Sequence, residues 1–278
     1  MANIIPMAGL GSRFSEEGYT IPKPLIPVSG TPMIIQVIRS LPSSNKWIFL
    51  VRQEQINGYE IDKIIQSEIP DAIIIAVNKT TLGQANTSLL SQAYLNPDEP
   101  VLIAACDNIS IYNKESLHNL ISSNADCIVF TFTKMNKLKN YPNSYGWVEL
   151  DQDNKTITNV SVKKTISDKP YFDNAITGTF FFKRAKDFIE STNLMINEGH
   201  KTNNEFYLDS VPIFTKKIRK NAVIFSVDQY ISWDTPTNLK EYEKWESFFI
   251  NNKHLNFERE KNDEFLFWQK YFNRGIKI

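Results

Sequence analysis

Cysteine and histidine are scarce in this sequence. The two cysteines, Cys106 and Cys127, are too few for a disulfide framework and lack the spacing of a zinc site, so we expect two reduced thiols in apolar strands. The three histidines, His118, His200 and His254, stand alone, and a structural or solvated role is favoured over catalysis for each. The chemistry of the chain must therefore be sought in other residue types.

No charge of one sign dominates, and no long hydrophobic run occurs. Thirty-one Lys and Arg residues balance thirty-one Asp and Glu residues, which argues against a general cationic surface for nucleic acid or an anionic membrane. No apolar segment approaches the roughly 20 residues of a membrane-spanning helix. The start, MANIIPMAGL, lacks the basic and long apolar regions of a signal peptide. We expect a cytoplasmic protein that binds neither nucleic acid nor membrane.

The hydrophobic pattern indicates the fold class. With 42% hydrophobic residues the chain can bury a full core. Short apolar runs such as NIIPMAG, KWIFLVR and PVLIAACDN alternate with helical patterns up to about residue 110, after which strands predominate and a helix falls near 184–197. This order predicts an α/β fold with a mostly parallel, doubly wound (Rossmann-like) mixed sheet, helices on both faces and a C-terminal helical tail. Ligands bind beyond the carboxyl ends of the strands in such sheets.

The segment AGLGSRF lies between the first predicted strand and a helix. Glycine turns tightly and lets an anion approach backbone N–H groups, so Gly9 and Gly11 suit a phosphate loop. Two common phosphate loops are excluded, because the chain has no GxxxxGK[ST] and Phe14 stands where a dinucleotide fingerprint needs its third glycine. A glycine pair alone is as typical of a plain turn as of a ligand loop.

Two cations favour the phosphate interpretation. Arg13, beside the loop, can fork onto phosphate oxygens. Lys23 lies between Pro22 and Pro24 in IPKPLIPV, where the prolines stiffen the segment and little entropy is lost in holding the ammonium group. A merely solvated lysine does not explain a cation inside this apolar, proline-fixed run.

The combination of GxGxR, PKPL and a nearby GxPM resembles the N-terminal signature of the sugar-1-phosphate nucleotidyltransferases, or nucleotide-sugar pyrophosphorylases. The resemblance covers residues 2 to about 110 well, extends more thinly to about 245 and omits the last thirty or so residues. It implies a Rossmann-like nucleotidyltransferase fold, a divalent metal, taken as Mg²⁺, and exchange of pyrophosphate for a phosphorylated acceptor. It assigns catalysis to Arg13 and Lys23. It places these residues at the nucleotide: Ala8, Gly9, Leu10, Gly11 and Ser12, the last where Thr is commonest.

Two aspartates match the metal ligands of this family. Asp107 follows the apolar residues of VLIAACDN. A carboxylate at this position suits Mg²⁺, and the bound metal would contact the nucleotide. Capping of the next turn is the alternative role of Asp107. The second ligand is Asp234 in SWDTPTNL. Sugar-phosphate members commonly place this ligand at the position of Ser232, whereas Asp directly before Thr-Pro resembles cytidylyltransferases that activate sugar acids and small alcohol phosphates. A helix N-cap at Asp234 or Thr235 is the competing role.

The resemblance extends to the base and the acceptor. TTLGQANTSLL resembles the base-contacting segment, with Gly83 and Gln84 at the base, although a plain helix start explains it equally well. Val162 stands where a sugar-binding Glu is usual, which removes a strong acceptor for sugar hydroxyls and indicates an unusual sugar or no sugar. The residues matched to the acceptor are Gly146 in SYGWVELD, Lys163 in VSVKK, Gly178 in ITGTFFF, and Asn204 and Glu205 in KTNNEFYLD.

We predict one domain over residues 1–240, in which residues 1–110 bind the nucleotide and residues 111–240 bind the acceptor. A helical extension follows over residues 241–278. Its many Trp, Phe and Tyr residues favour packing against the main domain or a second subunit over a ligand surface, so a homo-oligomer formed through the aromatic helices is left open.

The predicted function is transfer of a nucleoside monophosphate from a nucleoside triphosphate to a sugar 1-phosphate, with release of pyrophosphate, for nucleotide-sugar and cell-surface polysaccharide synthesis. The alternative is a CTP-dependent cytidylyltransferase acting on a small non-sugar phosphate, favoured by the DTP motif and Val162. A glycosyltransferase is less favoured, because such enzymes usually carry DxD and this chain has CDN. A non-catalytic nucleotide sensor is suggested by Val162 and Ser232. The nucleobase stays open, since base choice rests on backbone contacts.

Overall fold

The computed structural model describes residues 1–252 and 263–273. Its strands are β1 (Ala2–Pro6), β2 (Pro27–Val28), β3 (Thr31–Pro32), β4 (Lys46–Arg52), β5 (Ile73–Val77), β6 (Val101–Ala104), β7 (Asn108–Ile111), β8 (Cys127–Phe132), β9 (Gly146–Leu150), β10 (Ile157–Val162), β11 (Asn174–Phe182), β12 (Ala222–Ser226) and β13 (Gln229–Ser232). Its α-helices are α1 (Ser12–Glu16), α2 (Met33–Ser40), α3 (Gln53–Tyr59), α4 (Ile61–Glu68), α5 (Gln84–Leu89), α6 (Lys114–Ile121), α7 (Asn136–Asn140), α8 (Ala185–Asn197), α9 (Val211–Lys217), α10 (Pro236–Asn251) and α11 (Asp263–Phe272). His254 and the rest of the predicted tail outside α10 and α11 lie largely beyond the described residues.

The chain divides into two compact units. The first unit consists of Met1–Leu10, Pro42–Cys106 and Tyr112–Asp228. The second unit consists of Gly11–Leu41, Asp107–Ile111 and the described residues from Gln229 onward. The predicted single domain over residues 1–240 stays a prediction. Within residues 1–252 and 263–273, no helix combines the length and the apolar character needed to cross a membrane.

The first unit is built on a nine-stranded mixed sheet. Its strands follow the order β10, β9, β11, β6, β1, β4, β5, with β8 paired to β11 and β12 paired to β8. The pairs among β6, β1, β4 and β5 are parallel, whereas β11 runs antiparallel to β6, β8 and β9. The predicted Rossmann-like α/β fold with antiparallel additions in the second half is thus confirmed.

The apolar runs of the sequence form the centre of this sheet. Strands covered on both faces read as continuous hydrophobic segments, and every residue of ANIIP in β1 and VLIA in β6 is buried. Cys127 is fully buried in β8, and burial raises the pKa of its thiol. Cys106 lies in the bend after β6, so the prediction of a strand position is wrong for this residue, because β6 already ends at Ala104.

The second unit has an aromatic core. Its short antiparallel pairs, β2 with β3 and β7 with β13, pack with α2, α10 and α11. Buried side chains from the tail, including Tyr242, Trp268 and Tyr271, share this core with Phe14 and Trp233. The aromatic residues described for the tail therefore pack against the chain itself. Oligomer formation stays a prediction.

Candidate active site

Lys23 lies at the centre of a charged cluster in the second unit. It begins the 3-10 helix Lys23–Leu25, and its side chain passes over the Phe14 ring at 5.6 Å. Its Nζ donates to Oδ2 of Asp107 at 2.5 Å and to the main-chain oxygen of Asp234 at 3.1 Å. The side chains of Lys23 and Asp107 are only 16% and 19% exposed. The structure thus brings together the predicted lysine and both predicted metal ligands; Lys23, Asp107, Asp234 and Arg13 are called the lysine cluster below.

Strand pairing explains why two aspartates so distant in sequence meet. β7 and β13 are antiparallel, with Asn108 opposite Ser232. Asp107 directly precedes β7 and Asp234 follows β13, so both lie at the same end of the pair. The main-chain N–H of the buried Trp233 donates to the main-chain oxygen of Asp107 at 2.8 Å and extends the β7–β13 hydrogen-bond ladder by one step.

The Asp234 carboxylate is held by several neighbours. Ser232 donates its hydroxyl to Oδ1, and Nδ2 of Asn238 donates to the same atom at 2.6 Å. NH1 of Arg13 lies 3.6 Å from Oδ2. The side chain of Thr235, and not that of Asp234, caps α10 by accepting the Asn238 main-chain N–H at 3.1 Å. Of the two capping alternatives, Thr235 takes the role, and Ser232 supports the carboxylate of Asp234.

The residues of this cluster fit a hard divalent cation. Mg²⁺ is usually bound by one or two carboxylates, with phosphate oxygens and water completing its shell. Asp107 and Asp234 supply two carboxylates, and partners such as Ser232 and Asn238 orient one of them, as neighbours of metal ligands commonly do. Among the described residues, no group of three or more His, Cys, Asp and Glu side chains forms a ready metal site. A metal here would therefore take its other ligands from phosphate and water.

Gly11 couples the glycine loop to Lys23. Its φ of +66° lies in the left-handed region, and a Cβ added there would stand 3.3 Å from Cβ of Lys23. Glycine is needed for both reasons. Ser12 and Arg13 follow in the first turn of α1, where N–H groups lack intrahelical acceptors, and both side chains are exposed. In the first unit, the part of the predicted loop after β1 comprises buried Ala8 and exposed Gly9 and Leu10.

Gly83 has a structural reason to be glycine. Its φ is +115°, and a Cβ there would lie 2.6 Å from the main-chain nitrogen of Phe206. The Phe206 N–H donates to the Leu82 oxygen at 2.7 Å, and the Ala85 N–H donates to the Phe206 oxygen at 3.0 Å. These bonds fix the start of α5, where Gln84 is the first residue. Base contacts by Gly83 and Gln84 stay a prediction.

Gly146 and Lys163, both predicted to bind the acceptor, lie in the first unit at the start of β9 and directly after β10. Gly146 pairs with Val162 across β9 and β10, and the main-chain N–H of Lys163 donates to the main-chain oxygen of Tyr145 at 2.9 Å. The Lys163 side chain donates to the main-chain oxygen of Ser144, and its Nζ lies 5.8 Å from the Tyr207 ring centre.

Asp209 joins these residues without having been predicted. It lies in the 3-10 helix Leu208–Ser210, and its Cγ would be only 2.9 Å from a Cβ at Gly146. Burial raises the pKa of its carboxyl to about 6, although the charge of Lys163 acts in the opposite direction. Gly146, Lys163, Tyr207 and Asp209 are called the acceptor cluster below.

Three predicted acceptor residues lie in other surroundings. Gly178, with φ of +90°, lies where β11 shifts register against β8, and its oxygen accepts the Ala105 N–H at 3.1 Å. Asn204 is exposed at the tip of a hairpin turn in which Thr202 and Glu205 exchange main-chain hydrogen bonds. Within residues 1–252 and 263–273, no hydrogen bond or ion pair connects Gly178, Asn204 or Glu205 with the acceptor cluster. Their roles at the acceptor stay predictions.

Comparison with known proteins assigns the family. The profile described as nucleotidyl transferase matches residues 2–247. The chain belongs to the nucleotidyl transferase family. Among curated relatives, the bifunctional protein GlmU of Methanococcus vannielii is 29% identical over 158 residues, which cover 56% of this chain and 34% of that protein. The chain thus spans about a third of the length of the first curated relatives it matches.

Solved structures of other proteins share the nucleotidyl transferase fold. The nucleoside-diphosphate-sugar pyrophosphorylase of Vibrio cholerae RC9 superposes with a TM-score of 0.70 at 19% identity, covering 87% of this chain and 99% of that one. The inositol-1-phosphate CTP transferase of T. maritima superposes with a TM-score of 0.66 at 15% identity, covering 87% and 93%. At these identities the likeness establishes the fold, and the resemblance noted in the sequence is confirmed at the level of the family.

Sequence reasoning missed Asp209 for a physical reason. Asp209 is the last residue of KTNNEFYLD, but the family resemblance assigns roles there only to Asn204 and Glu205. The available signal was a carboxylate within a largely apolar segment, where a charged group needs a partner if it is buried. That signal does not reveal Gly146 and Lys163 as its neighbours, because their proximity depends on the packing of the 3-10 helix against β9 and β10.

Proposed function

We propose that this nucleotidyl transferase moves a nucleoside monophosphate from a nucleoside triphosphate to a sugar 1-phosphate and releases pyrophosphate. The lysine cluster carries the proposal: an ammonium group lies 2.5 Å from the Asp107 carboxylate and 3.1 Å from the Asp234 main-chain oxygen, and both carboxylates have a cation as neighbour. The reaction joins two anionic phosphates, so it requires cations held in fixed positions.

The second unit supplies groups for the triphosphate. Asp107 and Asp234 would hold Mg²⁺, which when bound neutralises and orients phosphate oxygens. Lys23 would neutralise charge at the α-phosphate, and its low exposure limits the number of positions the ammonium group takes. Arg13 is 61% exposed and would fork onto the departing pyrophosphate. The main-chain amides of Gly11 and Ser12 in this unit, and those of the predicted loop residues Ala8 to Leu10 in the first unit, would add hydrogen bonds to phosphate.

The first unit supplies groups for the acceptor. Lys163 would bind the acceptor phosphate by exchanging its hydrogen bond to the Ser144 oxygen for one to phosphate. Gly146 is buried at the start of β9, and the Asp209 carboxylate occupies the place where a side chain on Gly146 would stand. The segment around Gly83 would face the base. These assignments rest on the family resemblance and on the contacts of the first unit alone.

The proposed step balances without a redox partner or a proton donor. An anionic oxygen of the acceptor phosphate attacks the α-phosphorus, and a new P–O bond forms. The bond between the α-phosphorus and the oxygen that bridges to the β-phosphorus breaks, and its electron pair leaves with pyrophosphate. Because no covalent enzyme intermediate is needed, positioning and charge neutralisation carry the rate enhancement.

Pyrophosphate release tests the proposal. The protein is incubated with Mg²⁺, each of ATP, CTP, GTP, UTP and dTTP, and panels of sugar 1-phosphates and small phosphomonoesters. We expect release with one nucleotide and one class of acceptor, and loss of release when Mg²⁺ is chelated. Triphosphate binding in calorimetry without pyrophosphate release across the panel would refute a transferase and favour a nucleotide sensor.

A cytidylyltransferase acting on a small non-sugar phosphate is the second candidate. Two observations favour it: Asp234 directly precedes Thr-Pro, and Val162 replaces the usual sugar-binding Glu. A solved protein of the same fold is named as an inositol-1-phosphate CTP transferase. The same panel decides, because this candidate requires release with CTP and a small phosphomonoester and none with the sugar 1-phosphates.

A further inference from the structure

The acceptor cluster contains a carboxylate to which the family resemblance assigns no role. We propose that Asp209 takes over the task of the Glu that Val162 replaces: its carboxylate accepts hydrogen bonds from acceptor hydroxyl groups, and the acceptor is therefore a polyhydroxylated phosphate. This inference rests on the proposed transfer to a phosphorylated acceptor. It deepens that function by naming the residue that selects the acceptor.

The Asp209 carboxylate lies beside Gly146, the residue that pairs with Val162. Val162 lies opposite Gly146 in the β9–β10 pair, so a Glu at 162 would extend from β10. The Asp209 carboxylate instead reaches Gly146 from the 3-10 helix Leu208–Ser210, close enough that a Cβ on Gly146 would overlap it. A carboxylate is thus present beside Gly146 although β10 does not carry it.

The Asp209 carboxylate has hydrogen-bonding capacity to spare. A carboxylate offers about four acceptor positions. Among the described residues, Asp209 has a hydrogen bond to its own main-chain N–H and the attraction of the Lys163 charge, and no donor from another side chain. The side chain is half-buried, and burial raises the pKa of its carboxyl to about 6 by disfavouring the charged form. Hydroxyl donors of a bound ligand would satisfy this group.

The charges favour hydroxyl groups over an ammonium group. Lys163 already places one positive charge near Asp209. A phosphate on Lys163 and hydroxyls on Asp209 would satisfy both side chains with one ligand. A ligand ammonium would set two cations around one carboxylate and compete with Lys163. Lys163 and Asp209 together would therefore bind an acceptor that carries a phosphate group and, close to it, hydroxyl groups.

Steady-state kinetics of Asp209 variants test the inference. The probes are glucose 1-phosphate, mannose 1-phosphate and their monodeoxy analogues, with the nucleotide that supports pyrophosphate release. We expect Asp209→Ala to raise the KM for the acceptor about 10- to 100-fold, as loss of a hydrogen bond to a charged group does. The KM for the nucleotide should stay unchanged. Asp209→Asn should have a smaller effect because its amide keeps one acceptor oxygen, and it keeps the size of the side chain if the Ala variant fails to fold.

The deoxy analogues separate recognition from a structural role. For the wild-type protein, one analogue should show the same rise in KM that Asp209→Ala causes, and that analogue should lose nothing further in the variant. Asp71→Asn, an exposed acid of the first unit, is the matched control and should change neither KM. Unchanged acceptor KM in Asp209→Ala, additive losses for every analogue, or a wild-type preference for aminoalkyl phosphates would overturn the inference. A wild-type protein that releases no pyrophosphate at all would instead refute the proposed function.

Discussion

Replacement of Lys23 by alanine removes the ammonium group that contacts both Asp107 and Asp234 in the lysine cluster. The pair with Asp107 is short, at 2.5 Å, and both side chains are mostly shielded from solvent. If Lys23 neutralises charge that develops at the α-phosphate, its loss raises the barrier by about 2.7–4 kcal/mol, as loss of one such contact does elsewhere, which lowers turnover by about 100- to 1000-fold.

The same change has a moderate effect on stability. A hydrogen bond to a charged group contributes about 1.5–3 kcal/mol, and a change of 1 kcal/mol shifts the Tm of a protein of this size by about 2–4 °C. We therefore expect Lys23→Ala to remain folded at 25 °C, with a Tm lowered by several degrees. The loss of turnover should far exceed any loss of folded protein, because domains are typically stable by about 5–15 kcal/mol.

Turnover is measured by coupled pyrophosphate release at saturating substrates, with the folded fraction checked by circular dichroism. Lys240→Ala is the matched control: it removes a lysine of the same unit that is paired with Glu17 at 2.7 Å but is exposed. Exposed pairs contribute little, so this variant should keep wild-type turnover. Near-normal turnover in folded Lys23→Ala, or an equal loss in the control, would refute the role of Lys23.

Two further predictions concern single residues of the first unit. Gly83→Ala should destabilise the protein by more than about 2 kcal/mol in urea unfolding, because φ is +115° and the new Cβ would meet the Phe206 backbone at 2.6 Å. Gly58→Ala in α3, with open space at its Cβ, should instead be neutral or stabilising by up to about 1 kcal/mol; equal effects would contradict the assignment. For Asp209, burial raises the pKa to about 6, above about 4 in the unfolded chain, so the folded protein binds more protons between these values and loses stability as pH rises through them. Asp209→Asn removes this loss, and its stability relative to wild type should increase by about 1–3 kcal/mol between about pH 4 and pH 7.5; a pH-independent difference would show that the Asp209 carboxyl is not perturbed.

The sequence predicts those features that depend on local pattern. β1, β4 and β6 are apolar runs bounded by turn residues, and Lys23 stands out because prolines flank it in an apolar segment. The family resemblance implied that Asp107 and Asp234 lie close together. The register of β7 with β13 brings them together, and no local pattern of the sequence encodes that register.

Other features depend on contacts between distant segments. Asp209 ends KTNNEFYLD without an assigned role there, and its neighbour Gly146 belongs to β9, far away in the sequence. The close approach of Phe206 to Gly83 is likewise a property of packing, so a glycine matched to the base has a structural explanation that the sequence does not disclose. The end of β6 at Ala104, before Cys106, is a matter of backbone pairing that an apolar run does not fix.

The central claim is that the lysine cluster supports attack on the α-phosphorus, and the fate of isotopic label tests it most directly. The protein is given the accepted nucleoside triphosphate, labelled at the α-phosphate in one reaction and at the γ-phosphate in another, with the accepted acceptor and Mg²⁺. We predict that the α-label moves into the acceptor product and the γ-label into pyrophosphate, and that Asp107→Asn abolishes both transfers. Release of the γ-label as inorganic phosphate, or full transfer by the Asp107→Asn variant, would contradict the account.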